Sequence, residues 1–254
     1  MKKNMPLLKT TKEIILGSLL GDGSLNIHKG YKNARFSFRH SIVQKDYFLW
    51  KVNQLSDISS GKSIFIQKND GGYSKNKKML YQSRALPQLT EIYTLVRKRG
   101  KFHIRRKWLN QMTPLSLAIW WLDDGSIISN GRKGVFCTDG FEQKQVERLA
   151  RYLKVVWNIT VTVAPIGVSR DGKKQQYYRI WIRSTEELKK FLRIIMPYVQ
   201  VEAMLPKIIL LYKDEQLQQR WISEIVDKTG FSKSTVDKYV KSKKAKWKTY
   251  QKKI

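Results

Sequence analysis

The sequence predicts an α+β fold made of two pseudo-symmetric αββαββα repeats followed by a small helical module. Two observations point to the repeats. The stretches ILGSLLGDGSL (15–25) and AIWWLDDGSI (118–127) each carry an apolar run into Asp-Gly-Ser, about a hundred residues apart. The same order of helical and alternating segments then follows each stretch. A spacing of this size is typical of a duplicated small domain.

Each repeat opens with a predicted helix. Thr11 and Thr113 are placed as N-caps, and Pro114 takes the favoured first helical position. Both helices are expected to end at an Asp-Gly pair, at Asp22 and Asp124. The small residues on the first helix favour close backbone approach to a neighbouring helix.

The remaining elements follow in the same order in both repeats. Strand patterns are NARFSFRH, KSIFIQ and MLYQSR in the first and KGVFCT, ITVTVA and YYRIWI in the second. Amphipathic helices are VQKDYFLWKVNQLSDI and EQKQVERLARYLKVVW, and closing helices are LPQLTEIYTLVRK and TEELKKFLRIIM. The predicted domains are therefore 1–112, 113–212 and a tail, 213–254.

The tail has the spacing of a helix-turn-helix. Its pattern predicts a helix, a Thr-Gly-Phe turn and a second helix capped by Ser232, in the stretch RWISEIVDKTGFSKSTVDKYVKSKK. Ser234, Thr235 and Lys238 would lie on the recognition helix of such a module. A basic arm follows it.

Composition indicates a polyanionic partner. The chain of 254 residues has 50 Lys and Arg against 20 Asp and Glu, a net charge of +30, and 41% hydrophobic residues. It is therefore a folding chain whose charge suits nucleic acid first and an anionic membrane surface second. The single cysteine, Cys137, excludes an internal disulfide framework and a cysteine-rich zinc site. With no signal peptide or membrane-length apolar run in view, we expect a soluble intracellular protein, cytoplasmic or in an organelle.

The two acidic residues have the wrong charge for a helix C-terminus, because a carboxylate opposes the helix dipole there. If the two helices pack side by side, Asp22 and Asp124 come to the same end of the pair. Close carboxylates need a counter-charge to remain ionised, and Mg²⁺ with oxygen ligands supplies one. The pattern therefore predicts a divalent metal site, with Mn²⁺ able to substitute.

ILGSLLGDG and LAIWWLDDG, each opening an αββαββα unit, resemble the two motifs of a single-chain LAGLIDADG homing endonuclease. The resemblance covers roughly residues 10–212. It implies a monomer with an internal pseudo-dimer that cleaves a long, near-palindromic duplex DNA site across the minor groove and leaves 3′ overhangs. Metal would be bound by Asp22 and Asp124, with Gly21 and Asp123 as further candidate ligands.

The resemblance also implies a basic residue near each active centre. Lys101 and Lys207 occupy matching places after the last helix of each half. Either would orient water or stabilise the charge on the phosphate. His40 and Asp139, at the ends of equivalent strands, are candidates for the rim of the site.

Curved sheets, one per half, would lie in the major groove. Strand alternation and the predicted recognition helix give these DNA-binding candidates: Arg35, Ser37, Arg39, Gln82, Arg84, Arg179, Arg183, Ser234, Thr235 and Lys238. Each of them could contact phosphate rather than a base.

Two other functions fit the same composition. An RNA-binding maturase, which assists splicing of its own intron RNA, would use the same basic sheets but would not require the acidic pair. A regulator that reads DNA through the tail would bind as a two-fold dimer.

Overall fold

The computed structural model describes residues 6–67, 76–98, 100–128, 131–167 and 176–251. The chain divides into two compact units, Met1–Asp123 and Asp124–Ile254.

The first unit combines one four-stranded sheet with helices and a short hairpin. Its helices are α1 (Lys9–Ser18), α2 (Lys45–Gln54), α3 (Pro87–Val96), α4 (Arg106–Leu109) and α5 (Pro114–Asp124, whose last residue belongs to the second unit). Its strands are β1 (Gly23–Asn26), β2 (Arg35–Ser41), β3 (Ile64–Gln67), β4 (Lys78–Gln82), β5 (Arg97–Lys98) and β6 (Lys101–Phe102).

The sheet of the first unit is antiparallel with the order β1-β2-β4-β3. Gly23 lies opposite Phe38, and Phe38 lies opposite Tyr81. Alternation along β2 buries Phe36, Phe38 and His40 and leaves the intervening side chains facing the other way. The rings of Phe38, Tyr81 and Phe48 pack together, so α2 covers the buried face of the sheet.

Helices α1 and α5 are in close contact inside the first unit. A Cβ added to Gly17 would lie 2.3 Å from the backbone oxygen of Ser116. The Ser116 hydroxyl donates to the carbonyl of Glu13 at 2.8 Å. The expected close approach of the two motif helices is confirmed. Gly17 packs directly against the backbone of Ser116.

The second unit repeats this architecture. Its helices are α6 (Gln143–Trp157), α7 (Thr185–Ile195), α8 (Glu215–Thr229) and α9 (Lys233–Gln251). Its strands are β7 (Gly125–Ile128), β8 (Lys133–Phe136), β9 (Thr162–Ile166) and β10 (Tyr177–Ile182).

The duplication is visible in the strand order and in the register. The second sheet is antiparallel with the order β7-β8-β10-β9, which matches the first sheet strand for strand. Gly125 lies opposite Phe136 as Gly23 lies opposite Phe38. The predicted pair of αββαββα repeats in an α+β fold is confirmed.

Packing sets where the compact units divide, and the predicted domains 1–112, 113–212 and 213–254 stay a prediction. The division falls at residue 123 rather than 112, because α5 packs on α1 through Gly17 and Ser116. The tail does not form a separate unit. It belongs to the second one, where Trp221, Ile225 and Val236 of α8 and α9 are buried.

Two local predictions have different outcomes. Pro114 opens α5 and the Thr113 hydroxyl accepts from the Ser116 amide at 3.3 Å, as expected for a cap. Thr11 is not a cap, since α1 begins at Lys9; its hydroxyl instead donates to the carboxylate of Asp57. Within the described part of the chain, no helix has the length and apolar character needed to cross a membrane.

Candidate active site

In the first unit, Asp22 lies in the turn that joins α1 to β1. Helix α1 ends at Ser18, and the Gly21 amide donates to the Ser18 carbonyl at 2.9 Å. The side chain of Asp22 is 38% exposed, and one carboxylate oxygen lies 3.3 Å from Nδ1 of the buried His40. His40 reaches this position because β2 places it on the same face as Phe38, which pairs with Gly23 next to Asp22.

Two side chains of α2, Lys51 and Tyr47, bind the carboxylate of Asp123. Lys51 Nζ donates to both carboxylate oxygens of Asp123 at 2.8 Å, and the Tyr47 hydroxyl donates to one of them at 2.8 Å. The side chains of Lys51 and Asp123 are both fully buried. Asp123 also accepts from the backbone amide of Asp22 at 3.4 Å, so this ion pair borders the turn that carries the first motif acid.

The surroundings of the ion pair keep Tyr47 a neutral donor. Burial raises the pKa of the Tyr47 phenol well above its usual value, and the negative charge of Asp123 raises it further. The Lys51 ammonium lies 4.6 Å from the centre of the Phe38 ring, a cation–π contact. The ammonium, the phenol and the carboxylate therefore form one hydrogen-bonded cluster, in which the charge of Asp123 is offset by that of Lys51.

Three side chains in this unit lie close enough together to be candidate metal ligands. Ligand atoms of Asp22, His40 and Asp123 lie within 4.8 Å of one another. His40 Nε2 makes no hydrogen bond among the described residues and lies 4.0 Å from an Asp123 oxygen. Because Lys51 contacts both oxygens of Asp123, a cation there would meet a buried ammonium. The more exposed Asp22 is the better ligand for a hard divalent ion.

In the second unit, Asp124 ends α5 and is followed directly by β7. The amide of Cys137 donates to the Asp124 carbonyl at 3.0 Å. Lys207 ends a 3-10 helix, Glu202–Lys207, and its Nζ donates to the carbonyl of Gly125 at 2.7 Å. The structure thus brings the predicted lysine next to the backbone that carries the predicted acid.

Arg179 forms an ion pair with Asp139, and both charges influence the Cys137 thiol. Arg179 donates through Nε to Asp139 at 2.7 Å and through a terminal nitrogen to the other oxygen at 2.5 Å. Burial raises the pKa of the Cys137 thiol; the charge of Arg179 opposes this shift, whereas Asp124 and Asp139 add to it. The guanidinium of Arg179, a residue expected to face DNA, therefore forms two hydrogen bonds with the carboxylate of Asp139.

Lys101 has a different setting from Lys207. It lies exposed in β6, opposite Lys98 of the β5–β6 hairpin. An ammonium that does contact an acidic group in the first unit is that of Lys51. Sequence reasoning missed Lys51, although its spacing of four from Tyr47 puts both on one face of α2.

The outward-facing positions on the first sheet agree with the alternation expected. Arg35, Ser37 and Arg39 alternate with buried Phe36, Phe38 and His40. The guanidinium of Arg35 lies 4.3 Å from the centre of the Tyr31 ring and donates to Gln82 at 3.1 Å. Arg35, Tyr31 and Gln82 line a concavity of about 580 Å³, which Arg84 and Lys62 also line. The Arg84 guanidinium donates to the Asp57 carbonyl at 2.6 Å.

The tail candidates lie at the start of α9. The Ser232 hydroxyl accepts from the Thr235 amide at 3.1 Å, which is the predicted cap. The hydroxyls of Ser234 and Thr235 lie 2.9 and 3.0 Å from that of Ser232, and Lys238 is exposed one turn further on. Arg183, the remaining candidate, is exposed after β10 with its guanidinium 5.6 Å from the centre of the Trp181 ring.

Known proteins are similar to this chain in sequence. Protein RecA of Mycobacterium gastri is 29% identical over an alignment of 202 residues, which covers 74% of this chain and 44% of that protein. Cytochrome b mRNA maturase bI2 of Saccharomyces cerevisiae is 27% identical over 203 residues, covering 76% of this chain and 46% of the maturase. The chain thus spans less than half the length of these curated relatives.

A solved structure supports the fold. The homing endonuclease I-WcaI bound to its DNA recognition sequence matches with a TM-score of 0.68 and 21% identity, over 82% of this chain and 89% of that chain. The model of the LAGLIDADG DNA endonuclease family matches residues 12–191, which include both Asp-Gly stretches and both sheets. This chain belongs to the LAGLIDADG DNA endonuclease family.

Proposed function

We propose that this protein is a site-specific, divalent-metal-dependent DNA endonuclease of the intron-homing type, which cuts a long duplex site and leaves 3′ overhangs. The observation that carries the proposal is the repeated pairing of a motif acid with a four-stranded antiparallel sheet. Asp22 precedes β1 and Asp124 precedes β7 at equivalent places in the register. A net charge of +30 favours a phosphate backbone as the partner.

Asp22 and Asp124 would each bind a divalent cation, Mg²⁺ or Mn²⁺. When bound, a divalent cation supplies Lewis acidity toward the phosphate and a more acidic water. The donor set supports this role, because Asp22 is partly exposed whereas Asp123 is already neutralised by Lys51. Asp123 and the Gly21 backbone would then hold Asp22 in place rather than ligate. A Cβ on Gly21 would lie 2.5 Å from Cβ of Asp123, which leaves no room for a larger residue.

Lys207 would stabilise the negative charge that develops on the phosphate. Its ammonium is already held at the carbonyl of Gly125, one residue beyond Asp124. A positioned cation of this kind lowers the barrier because its orientation is set before the reaction begins. The outward-facing polar and basic side chains of the two sheets would contact bases and phosphates of the target.

The experiment is cleavage of a randomised duplex library in Mg²⁺ or Mn²⁺, followed by sequencing of the new ends. Asp22→Asn and Asp124→Asn run beside the wild type, with Asp46→Asn, an exposed acid on α2, as the matched control. We expect a discrete site with 3′ overhangs, nicking of one strand only in each motif variant, and full cleavage by the control. Duplex binding without any cut in either metal would reject the nuclease.

A second candidate is an RNA-binding maturase. The observation that favours it is the similarity to the cytochrome b mRNA maturase bI2 over 76% of this chain. Binding to structured intron RNA with at least the affinity found for duplex DNA, in the double variant Asp22→Asn/Asp124→Asn, would support this function.

A further inference from the structure

The C-terminal helices α8 and α9 supply hydrogen bonds to the segment that contains Lys207 and the five residues after it. This segment, residues 206–212, is called the strap here. Ile208, Ile209 and Leu210 in it are fully buried, yet the strap is neither helix nor strand beyond Lys207. Its buried carbonyls therefore need donors from elsewhere in the fold.

Side chains of the two helices supply those donors one after another. Trp221 Nε1 donates to the carbonyl of Ile208 at 3.1 Å. The Gln218 amide donates to the Leu210 carbonyl at 3.1 Å and accepts from the Tyr212 amide at 3.0 Å. Both residues are buried on α8. The strap is thus fixed by directional contacts as well as by apolar packing.

Lys243 of α9 completes this set on either side of Lys207. Its Nζ donates to the carbonyl of Pro206 at 2.8 Å and to the carbonyl of Ile209 at 2.8 Å. Burial lowers the pKa of Lys243 to about 7. Retaining a partly buried amine at this point is consistent with a requirement for its hydrogen bonds, because an apolar side chain of similar length would avoid the desolvation cost.

We propose that Lys243 is a positioning residue for Lys207, and that α8 and α9 act as a brace for the second catalytic half rather than chiefly as a DNA reader. Few contacts separate Lys243 from the backbone next to Asp124. Lys243 fixes the carbonyls of residues 206 and 209, which set the backbone of Lys207, and Lys207 reaches Gly125 next to Asp124. This inference rests on the proposed function, and it assigns the tail a role in the reaction.

The position of the brace predicts an effect on one strand. Asp22 lies in the first unit, whereas Lys207, Asp124 and the brace lie in the second. Loss of the brace should therefore slow the cut that depends on Asp124 and spare the other cut. A loss of DNA affinity or of overall folding would slow both cuts alike.

The test compares Lys243→Met with Lys241→Met, which removes an exposed charge from the same helix. Trp221→Phe is a second variant, which removes the donor to Ile208 and keeps an aromatic ring. Single-turnover cleavage of the target is followed strand by strand, and the strand that depends on Asp124 is identified with Asp124→Asn. In parallel, the rate of acylation of the Lys207 amine is measured by mass spectrometry in the wild type and in each of these variants.

For Lys243→Met we expect the Asp124-dependent strand to be cut on the order of tenfold more slowly, with the other strand unchanged. Acylation of Lys207 should become several-fold faster, and Lys241→Met should behave as the wild type. Equal slowing of both strands, weaker DNA binding alone, or no change in either readout would overturn the proposal.

The acylation readout separates this proposal from the proposed nuclease function. If the wild type cuts no DNA, the nuclease proposal fails. Faster acylation of Lys207 in Lys243→Met and in Trp221→Phe would still support the positioning role. Unchanged acylation in both folded variants would reject it.

Discussion

The Lys51–Asp123 pair is a contact on which the stability of the first unit should depend at the level of single residues. Both groups are fully buried, and the Tyr47 hydroxyl completes the set. Burying two charges is costly, so the pair stabilises the fold only while both partners are present. Removing one partner leaves an uncompensated charge inside the protein.

Lys51→Met is therefore expected to lower the free energy of unfolding by about 3–5 kcal/mol. Urea unfolding followed by circular dichroism measures the loss. Lys45→Met, which removes an exposed charge from the same helix, should change stability by less than about 1 kcal/mol. The double variant Lys51→Met/Asp123→Leu should lose less than Lys51→Met alone, because no unpaired charge remains. An equal loss in the single and double variants would show that the ion pair is not the cause.

Local sequence identifies the two motif acids as candidates, but it does not reveal this pair. Asp22 and Asp124 are identified by the repeated Asp-Gly-Ser, which is local information. Lys51 binds a carboxylate 72 residues further along the chain, and its local spacing shows only that it shares a face of α2 with Tyr47. Contacts at such separations depend on how α2 and α5 pack, which hydrophobic periodicity alone does not specify.

At the level of elements, the packing of α1 on α5 depends on Gly17. A Cβ there would lie 2.3 Å from the Ser116 oxygen, a backbone atom that cannot move without shifting the helix. Gly17→Ala is expected to destabilise the protein by about 1–3 kcal/mol through overpacking. Gly61→Ala is the control, since a Cβ at Gly61 meets nothing within 4 Å. Comparable urea midpoints for the two variants would contradict the close packing described here.

The tail shows where element prediction succeeds and where it stops. Its two helices, the Gly230 turn and the Ser232 cap follow from local sequence. The attachment of the tail to the strap does not follow from local sequence. Trp221, Gln218 and Lys243 donate to backbone carbonyls, and every residue has such a carbonyl, so the sequence does not identify the acceptors. The sequence pattern of a helix-turn-helix is therefore compatible with a structural brace as well as with a module that recognises DNA.

Lys243 also gives the second unit a pH-dependent stability. Its folded pKa of about 7 lies below the unfolded value, so between these two values the unfolded chain binds more protons. The wild type should gain stability from this group as the pH rises from 7 to 9, by at most about 1.4 kcal/mol per pH unit. Lys243→Met lacks the gain, so the stability of the wild type relative to this variant should rise between pH 7 and pH 9. Unfolding curves at several pH values measure the difference, which should stay constant if Lys243 does not titrate.

At the level of the whole molecule, the charge of +30 should dominate the affinity for nucleic acid. Each phosphate neutralised releases condensed counterions, so the logarithm of the association constant should fall linearly with the logarithm of salt concentration, by about 0.9 for each phosphate contacted. The double variant Asp22→Asn/Asp124→Asn allows binding to be measured by fluorescence anisotropy without cutting.

The salt dependence also distinguishes contacts that read bases from contacts that hold the backbone. Arg39, exposed on the outward face of β2, is the test position. If Arg39 contacts a phosphate, Arg39→Ala should reduce the slope by about 1 and weaken target and unrelated duplexes equally. If it contacts a base, the variant should lose affinity for the target by about 1–3 kcal/mol with little change for unrelated DNA. Unchanged affinity for both duplexes would mean that this face of the sheet does not meet DNA at Arg39, and an affinity independent of salt would contradict the assignment of the charge to phosphate binding.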